Sequence, residues 1–541
     1  MTLQTTRDDL RMYVRYARGL PGFLRHPLNG EACVRLLDQQ RAFRDDNFLR
    51  VLEHGVFAHP PSPYLKLFRH AGIELGDLKT MIREEGIEFT LERIHDAGVH
   101  VTLDEVKLRQ PVRRGGLEFA TTERDWDNPL IRPHLEGRSG GSRSPGRRTV
   151  FDLTAMTDAL GEWALLLRAF DLTERPASLW APAPPGVSGL GTVMCLAKME
   201  GCRAERWFSQ TRLDLRPWRA RALLLTATTF AAGKLWGGGR IPWPRHVSLD
   251  DPAPVARWLA HNVRTGSPAV MYGYASAAVR ACGAALEAGL EISGSTFVLG
   301  GEPYTAEKAQ VVEAANARGI SWYGMTEAGS VGVQCAAAEH PDDVHLLTHK
   351  VGVVQRPARL GDSEVGALFL TTLLPSSPKL MINVDSGDYG VLGKRSCGCA
   401  FAEVGLDRHL HGIRSREKLT SQGMTFLGEE LLELVDKVFP TRFGGSPQDF
   451  QIVEEERMGV PRVSIVVSPR LGELDEAEVR ATALRHLASA GVAQRMMAEV
   501  WESGNSLCVE RRAPYVTSGG KVLSLHIPAS TAAGQSSPTQ G

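Results

Sequence analysis

The sequence holds little cysteine for its length, eight in 541 residues, too sparse for a disulfide framework. It has no surplus of either charge, because 62 Lys and Arg face 62 Asp and Glu. That balance removes any global electrostatic reason to expect nucleic acid or an anionic membrane as partner. Long apolar runs are missing too. The stretch 222–233 is broken by threonines and falls well short of the ~20 apolar residues a bilayer requires. Residues 1–9 have none of the apolar character of a secretory signal. Internal repeats and long low-complexity segments are also absent. These absences lead us to expect a reduced, cytoplasmic protein, monomer or homodimer, with neither nucleic acid nor membrane as partner. The composition that remains is ordinary for a globular chain: 43% hydrophobic and 23% charged residues. It suits an enzyme better than a scaffold.

Periodicity divides the chain. Residues 1–110 read as mostly helical, with apolar and charged positions mixed at helical spacing around Phe48, Leu49 and Leu52 and again around Tyr64 and Phe68. The stretch 137–148 is so rich in Gly, Arg and Ser that it reads as neither helix nor regular strand. Residues 296–299 form a short apolar run. Thr305 is a helix N-cap, residues 306–317 are good helix formers stopped by Gly319, and residues 320–324 form a second short strand. Strand, helix and strand at this length predict a βαβ unit with parallel strands. Both strand ends then open on one edge of the sheet, where open α/β sheets bind ligands, so Glu302 is expected beside residues 323–327.

Past residue 410 the pattern becomes that of a small α+β domain. Helices are predicted over 428–439 and 474–490, and strands over 450–453, 463–467 and 497–501. The expected organisation is a large α/β domain with parallel or mixed sheets, comprising a helical region over residues 1–110 and a core over residues 111–411. A small α+β domain, residues 412–527, follows, then a disordered tail, residues 528–541, rich in Ser, Thr and Gly.

Four segments carry groups with chemical potential, and each also has an ordinary reading. In Tyr323, Gly324, Met325, Thr326, Glu327, a hydroxyl next to a carboxylate at a strand end can touch a phosphate oxygen and hold a magnesium ion on it. The alternative is a turn with solvated polar residues. Asp388, in the turn 385–390, can accept two hydrogen bonds from a ribose diol or simply shape a β-turn. Lys521, after Gly519 and Gly520, can serve as a cationic clamp or be a solvated loop lysine. The stretch 137–148, with Ser139, Gly140, Gly141 and Ser142, offers backbone N–H groups, hydroxyls and arginines to a polyphosphate. Its other reading is an exposed basic linker.

Taken in order with Gly300, Gly301, Glu302, Pro303 and Arg414, these segments resemble the acyl-adenylate-forming ligases over residues 60–527. The likeness is nearest to the phenylacetate–CoA ligase branch, with its coenzyme F390 synthetase-like members. The resemblance implies a large domain, a hinge and a small rotating domain. It implies ATP, Mg2+ and coenzyme A as cofactors and a small-molecule carboxylic acid as substrate, with acyl-AMP formed first and the acyl group then passed to the thiol. On that pattern Thr326 contacts the α-phosphate, Glu327 holds magnesium, Asp388 binds the ribose and Arg414 approaches the nucleotide near the hinge. Lys521 bridges carboxylate and phosphate. The chain departs from the family at the phosphate loop, which lacks Thr-Thr-Gly, and at the hinge, where Arg416 and Glu417 replace two aspartates. The alternatives are therefore acyl delivery to a protein or amine, and a nucleotide-binding homologue with impaired catalysis.

Cys335 and His340, with the Cys-x-Cys pair Cys397 and Cys399, are expected to form a closed structural zinc site; His345 is the alternative imidazole. Some members of the same branch look similar here. Cys33, Cys195, Cys202, Cys282 and Cys508 read as core. An aromatic lining from Trp236, Trp243, Tyr272, Tyr274 and Tyr304, with Gly237, Gly238 and Gly239, would suit an aryl or arylacetic acid, although core packing is the commoner role for each residue taken singly.

Overall fold

The computed structural model describes residues 3–138, 148–184, 186–213, 220–360, 363–416, 419–421, 424–426, 429–457, 459–490, 492–516, 522 and 524–526. The expectations for Ser139, Gly140, Gly141, Ser142 and Lys521, and for the tail from 528, lie outside the described residues.

Two hairpins precede the main sheet: β1 (Val112–Arg114) with β2 (Leu117–Phe119), and β3 (Leu135–Arg138) with β4 (Arg148–Phe151). The second hairpin corrects the reading of 137–148 at its ends. Gly137, Arg138 and Arg148 are strand residues, because antiparallel pairing satisfies their backbone groups whatever the local propensity.

Twelve strands build one sheet. In chain order they are β5 (Ala177–Trp180), β6 (Ala204–Ser209), β7 (Pro244–His246), β8 (Val270–Tyr274), β9 (Thr296–Gly300), β10 (Arg318–Met325), β11 (Gly329–Val333), β12 (Val344–Leu346), β13 (Val351–Leu360), β14 (Ser363–Thr372), β15 (Val384–Lys394) and β16 (Arg408–Ser415). Their spatial order is β13-β14-β15-β16-β12-β11-β10-β9-β8-β5-β6-β7. From β10 to β7 every pair is parallel, and from β10 to β13 every pair is antiparallel. β10 is thus the seam between two half-sheets. The βαβ unit over β9, helix Ala306–Ala314 and β10 forms as expected, and Thr305 caps the helix by accepting from Lys308 N. The helix stops earlier than Gly319, at Asn316, whose φ of 52° is the left-handed conformation asparagine tolerates. Gly319 lies inside β10, where a Cβ would meet the Tyr304 hydroxyl at 2.1 Å.

The helical region divides between the two halves: residues 3–42 share a core with the parallel strands, Tyr16, Leu20 and Leu37 packing with Leu179 and Val270, and residues 44–106 cover the antiparallel half. Leu91, Ile94 and Val101 share a core with Val351, Leu368 and Val384, and the Asn383 amide donates to Leu91 O at 2.8 Å. Helix Leu160–Ala169 is pinned to the turn after β12 by a buried ion pair, with Lys350 Nζ donating to Glu162 Oε1 at 2.8 Å. Removing one partner of such a pair strands the other charge in the interior. No helix among the described residues is long and apolar enough to cross a membrane.

After a short hairpin, β17 (Leu419–Ser421) with β18 (Met424–Phe426), come β19 (Phe450–Arg457), β20 (Val460–Val467), β21 (Leu507–Arg511) and β22 (Leu525–His526), ordered β21-β20-β19-β22. Helices Glu476–Ala490 and Val492–Ser503 join this small mixed sheet. The strand expected at 497–501 is a correction: these residues lie in the second helix. Its Met497, Val500 and Trp501 recur at helical spacing and are buried together. The small unit shares one apolar core with the large one, from Leu431, Phe450 and Trp501 to Leu259, Ala278 and Phe297. Ser503 O accepts from Asp250 N and Ser248 Oγ, and the Arg280 guanidinium donates to Leu249 O and Gly504 O.

Candidate functional site

The parallel half ends where β9 and β10 emerge together, and a Cβ on Gly300 would lie 2.4 Å from the Trp322 ring. β10 runs through Tyr323, Gly324 and Met325, turns at Thr326, Glu327 and Ala328, and returns as β11 from Gly329, whose φ is 76°. A turn at a sheet seam puts the Thr326 hydroxyl and the Glu327 carboxylate at the edge where the pairing changes. The turn is held from behind, because Glu327 O accepts from Lys379 N at 3.1 Å.

Lys379 is a residue the sequence reading missed. It is 5% exposed, and Nζ donates to Asp127 Oδ1 at 2.5 Å and Glu123 O at 3.0 Å. Burial holds this ammonium below the ordinary lysine range, against the opposing pull of Asp127 and Glu327. Asp127 also pairs with Arg148, the first described residue after the Gly-rich stretch, and Arg148 Nε donates to Glu136 at 2.7 Å. One ion network therefore joins the loop end of the β3–β4 hairpin to the Glu327 turn. Sequence spacing cannot reveal it, since Lys379 and Asp127 are 252 positions apart.

Asp388 comes from β15, beyond a turn in which Gly387 N donates to Asp385 Oδ1 and Asp388 N to Ser386 Oγ. Gly387 has φ 80°. Tyr323 Oη donates to Asp388 Oδ2 at 2.9 Å, bringing two of the sequence-selected segments within one hydrogen bond. Burial, followed by the Asp388 charge, pushes the Tyr323 phenol well above its usual value, so it remains a donor. Tyr323→Phe is expected to lower stability by about 1–3 kcal/mol, read by equilibrium urea unfolding, because a carboxylate acceptor loses its phenol.

Arg414 lies on β16 opposite Tyr389, with Nη1 donating to Asp342 Oδ2 at 2.7 Å. Asp342 also accepts from Gly412 N and Ile413 N, and Arg416 pairs with Asp385. Asp385 belongs to the turn 385–390 selected from the sequence, whereas Asp342 was marked by no motif. Glu302 accepts from Ser276 N at 2.8 Å and Ser276 Oγ at 2.9 Å, at the start of helix Ala275–Glu287, where a carboxylate complements the dipole. Beside it Gly301 has φ 75°, and Pro303 O accepts from Lys308 Nζ at 2.8 Å.

The metal-ligand set differs in one member from the expected one. Cys335, His345, Cys397 and Cys399 gather, with one donor atom of each within 4.8 Å of all the others. His345 Nε2 lies 3.1 Å from Cys399 Sγ and 3.4 Å from Cys397 Sγ, and the sulfurs of Cys335 and Cys397 are 3.9 Å apart. A tetrahedral ion with bonds of ~2.0 Å to nitrogen and ~2.3 Å to sulfur needs donors about 3.5–3.8 Å apart, so the group fits. His340 is outside it, stacked on His411 with ring centroids 4.4 Å apart. The physical reason is strand pairing: β11 and β12 run antiparallel with Val333 opposite His345, which returns position 345 to the Cys335 side. His345 Nδ1 hydrogen-bonds Leu406 O at 2.5 Å, leaving Nε2 to face the thiols. Burial pushes the His345 imidazole down to about 4 and the Cys335 and Cys399 thiols up. A bound cation would convert such thiols to thiolates. Of the remaining cysteines, Cys33, Cys195, Cys202 and Cys282 are buried as expected. Cys508 is a correction: it is half-buried on β21, within 2.9 Å of Arg462 Nε, because the outer face of that sheet is only partly covered.

The proposed aromatic lining does not gather. Tyr272, Tyr274 and Tyr304 are core residues, Trp236 lies beside Arg25, and Trp243 belongs to a cavity elsewhere on the sheet.

No protein-family model matches the chain, and no curated protein matches it. Solved structures do. A 2-hydroxyisobutyryl-CoA ligase in complex with 2-HIB-AMP and CoA, in its thioesterification state, is 14% identical over 90% of each chain, with a TM-score of 0.53. The same ligase in an open conformation gives 15% identity over 92% of this chain and 91% of that one, at 0.42. An o-succinylbenzoate CoA synthetase double mutant from Bacillus subtilis gives 10% over 82% and 79%, at 0.41. The first likeness establishes a shared fold along almost the whole chain, the large α/β domain and the small C-terminal domain included.

Proposed function

We propose that this protein is an AMP-forming acid–thiol ligase that activates a carboxylic acid, of the aryl or arylacetic class, as its acyl-AMP and passes the acyl group to coenzyme A. The observation that carries this reading is the Tyr323–Asp388 hydrogen bond at the sheet seam, which brings a hydroxyl–carboxylate turn and a ribose-competent aspartate together. The fold shared with a CoA ligase supports it.

Adenylation sets an anionic carboxylate against an anionic phosphorus, so the protein must orient both and supply countercharge. In this reading Thr326 donates to the α-phosphate, Asp388 accepts from the ribose, and Ser139, Gly140, Gly141 and Ser142 receive the outer phosphates. Lys521 bridges the two anions. Glu327 would hold magnesium, which when bound neutralises phosphate charge. Gly301, Glu302, Pro303, Gly324, Met325 and Arg414 border the nucleotide. Cys335, His345, Cys397 and Cys399 would hold zinc in a structural role, because four protein donors close its tetrahedron and leave no open position. Eight free cysteines suit a reduced, cytoplasmic setting.

The test is ATP–pyrophosphate exchange over a panel of aryl, arylacetic and alkyl acids, followed by thioester formation with coenzyme A. Exchange with an aryl or arylacetic acid, and CoA-dependent release of AMP, is the expected result. Exchange without thioester would move the acceptor to a protein or amine. Nucleotide binding with no exchange for any acid would leave only a catalytically impaired homologue.

A further inference from the structure

The aromatic residues that failed to gather at the seam lead to a second site. Trp243 and Gly239 line a cavity of about 290 Å³ between β6, the end of helix Ala220–Trp236 and the loop before β7. Its apolar floor comes from Trp207, Phe230, Ile241, Pro242 and Trp243, with Phe230 and Trp243 edge to face at 5.5 Å. Around this floor stand Arg203, Arg206, Lys234 and Arg245, all exposed. Among the described residues none of the four has a carboxylate partner. Glu205, the one acid in the lining, pairs with none of them.

The local charge is as unusual as the geometry. The lining holds four cations, Arg203, Arg206, Lys234 and Arg245, against the single acid Glu205, in a chain whose total charge is zero. Unpaired like charges around an apolar floor raise the local potential and call for an anion. The position separates this cavity from the seam. Arg203 precedes β6, and residues 239–243 precede β7, so it opens at the edge where these parallel strands begin. The Gly300–Tyr323 end lies at the opposite edge and three strands away, about 14 Å sideways at ~4.8 Å per strand. The volume sits at the lower end of small-molecule pockets, roughly 300–1,000 Å³, which admits one or two fused rings and excludes a whole coenzyme A.

We propose that this cavity is a second binding site, separate from the ligase centre, for a small amphipathic oxyanion. The ligand's aromatic or branched apolar body would lie against Phe230 and Trp243, and its carboxylate or phosphate would be held by Arg203, Arg206, Lys234 and Arg245. Guanidinium forks suit either headgroup, bidentate in both cases. The indole face contributes stacking area while remaining accessible from solvent.

Calorimetric titration of the full chain, without ATP, with 1-naphthoate, 1-naphthyl phosphate and the neutral 1-naphthylmethanol tests the site. One of the two anions is expected to bind saturably and at least tenfold tighter than the alcohol, and the tighter anion names the headgroup. Arg206→Gln/Arg245→Gln should weaken anion binding tenfold or more, and Trp243→Ala should weaken the anions and the alcohol together. These side chains are exposed, so melting temperature should hold in all variants. Equal binding of anion and alcohol, or titrations unchanged in both variants, would overturn the proposal. The readout needs no adenylation, so a failure of the ligase reading would leave this result standing.

Discussion

Glu327→Gln is expected to lower ATP–pyrophosphate exchange by roughly 10²- to 10³-fold, the scale seen when one charge-stabilising group is removed from a reacting centre. The substitution keeps the shape of the side chain. The turn should also survive, because its anchor is the Glu327 carbonyl, which accepts from Lys379 N and is untouched. Melting temperature should therefore stay within a few degrees while the rate collapses. The loss should be partly recovered at high magnesium if the carboxylate acts by holding the ion. A rate within threefold of the parent at ordinary magnesium would remove Glu327 from the chemistry. Lys379 supplies a second signature. Its ammonium faces both Asp127 and Glu327, so neutralising Glu327 removes one of the two anions that oppose its downward shift.

The second large effect concerns stability. Cys397→Ser/Cys399→Ser is expected to abolish metal binding and cost about 4 kcal/mol or more, the range in which loss of a structural metal falls. For a large domain of about 400 residues, whose unfolding entropy is about 0.8 kcal/mol/K, that corresponds to a melting temperature roughly 5 °C lower. The reason is what the ligands tie together: the segment after β11 through Cys335, β12 through His345, and the connection from β15 to β16 through Cys397 and Cys399. Elemental analysis should return about one zinc per chain for the parent and none for the variant. A parent protein isolated without metal, or a variant that melts together with the parent, would end the zinc assignment. His340→Ala should leave the metal in place, because that ring lies outside the ligand set.

The βαβ unit at 296–324 was legible because three independent signals agreed on it: an apolar run, a threonine cap and a helix of strong formers. The element at 497–501 was not. Five residues with four apolar side chains satisfy either period, and only the polar positions Gln494, Arg495 and Glu502 on either side favour the helix that forms. The choice between His340 and His345 failed for a related reason. A ligand spacing counts residues along the chain, whereas the metal group is assembled across an antiparallel pair whose register the spacing does not encode. Tyr323 and Asp388 could each be selected as single motifs, yet their hydrogen bond depends on β15 being tied back to β10 through four successive antiparallel pairings. The ion network around Asp127 had no local signal at all, since it links residues from four separate segments.

The seam strand also governs the order in which the chain can take shape as it leaves the ribosome. Every partner in the parallel half, from β5 to β10, has been synthesised once Met325 emerges, so that half can close early. β12 cannot. Its outer neighbour is β16, about sixty residues further on, a delay of roughly 3–12 s at the usual pace of translation. Throughout that wait β12 offers an unpaired hydrogen-bonding row, already carrying the His345 imidazole but not yet the thiols of Cys397 and Cys399. Nascent chains should therefore be most prone to mispairing between about residues 346 and 408, and slow codons placed in that window would aggravate it.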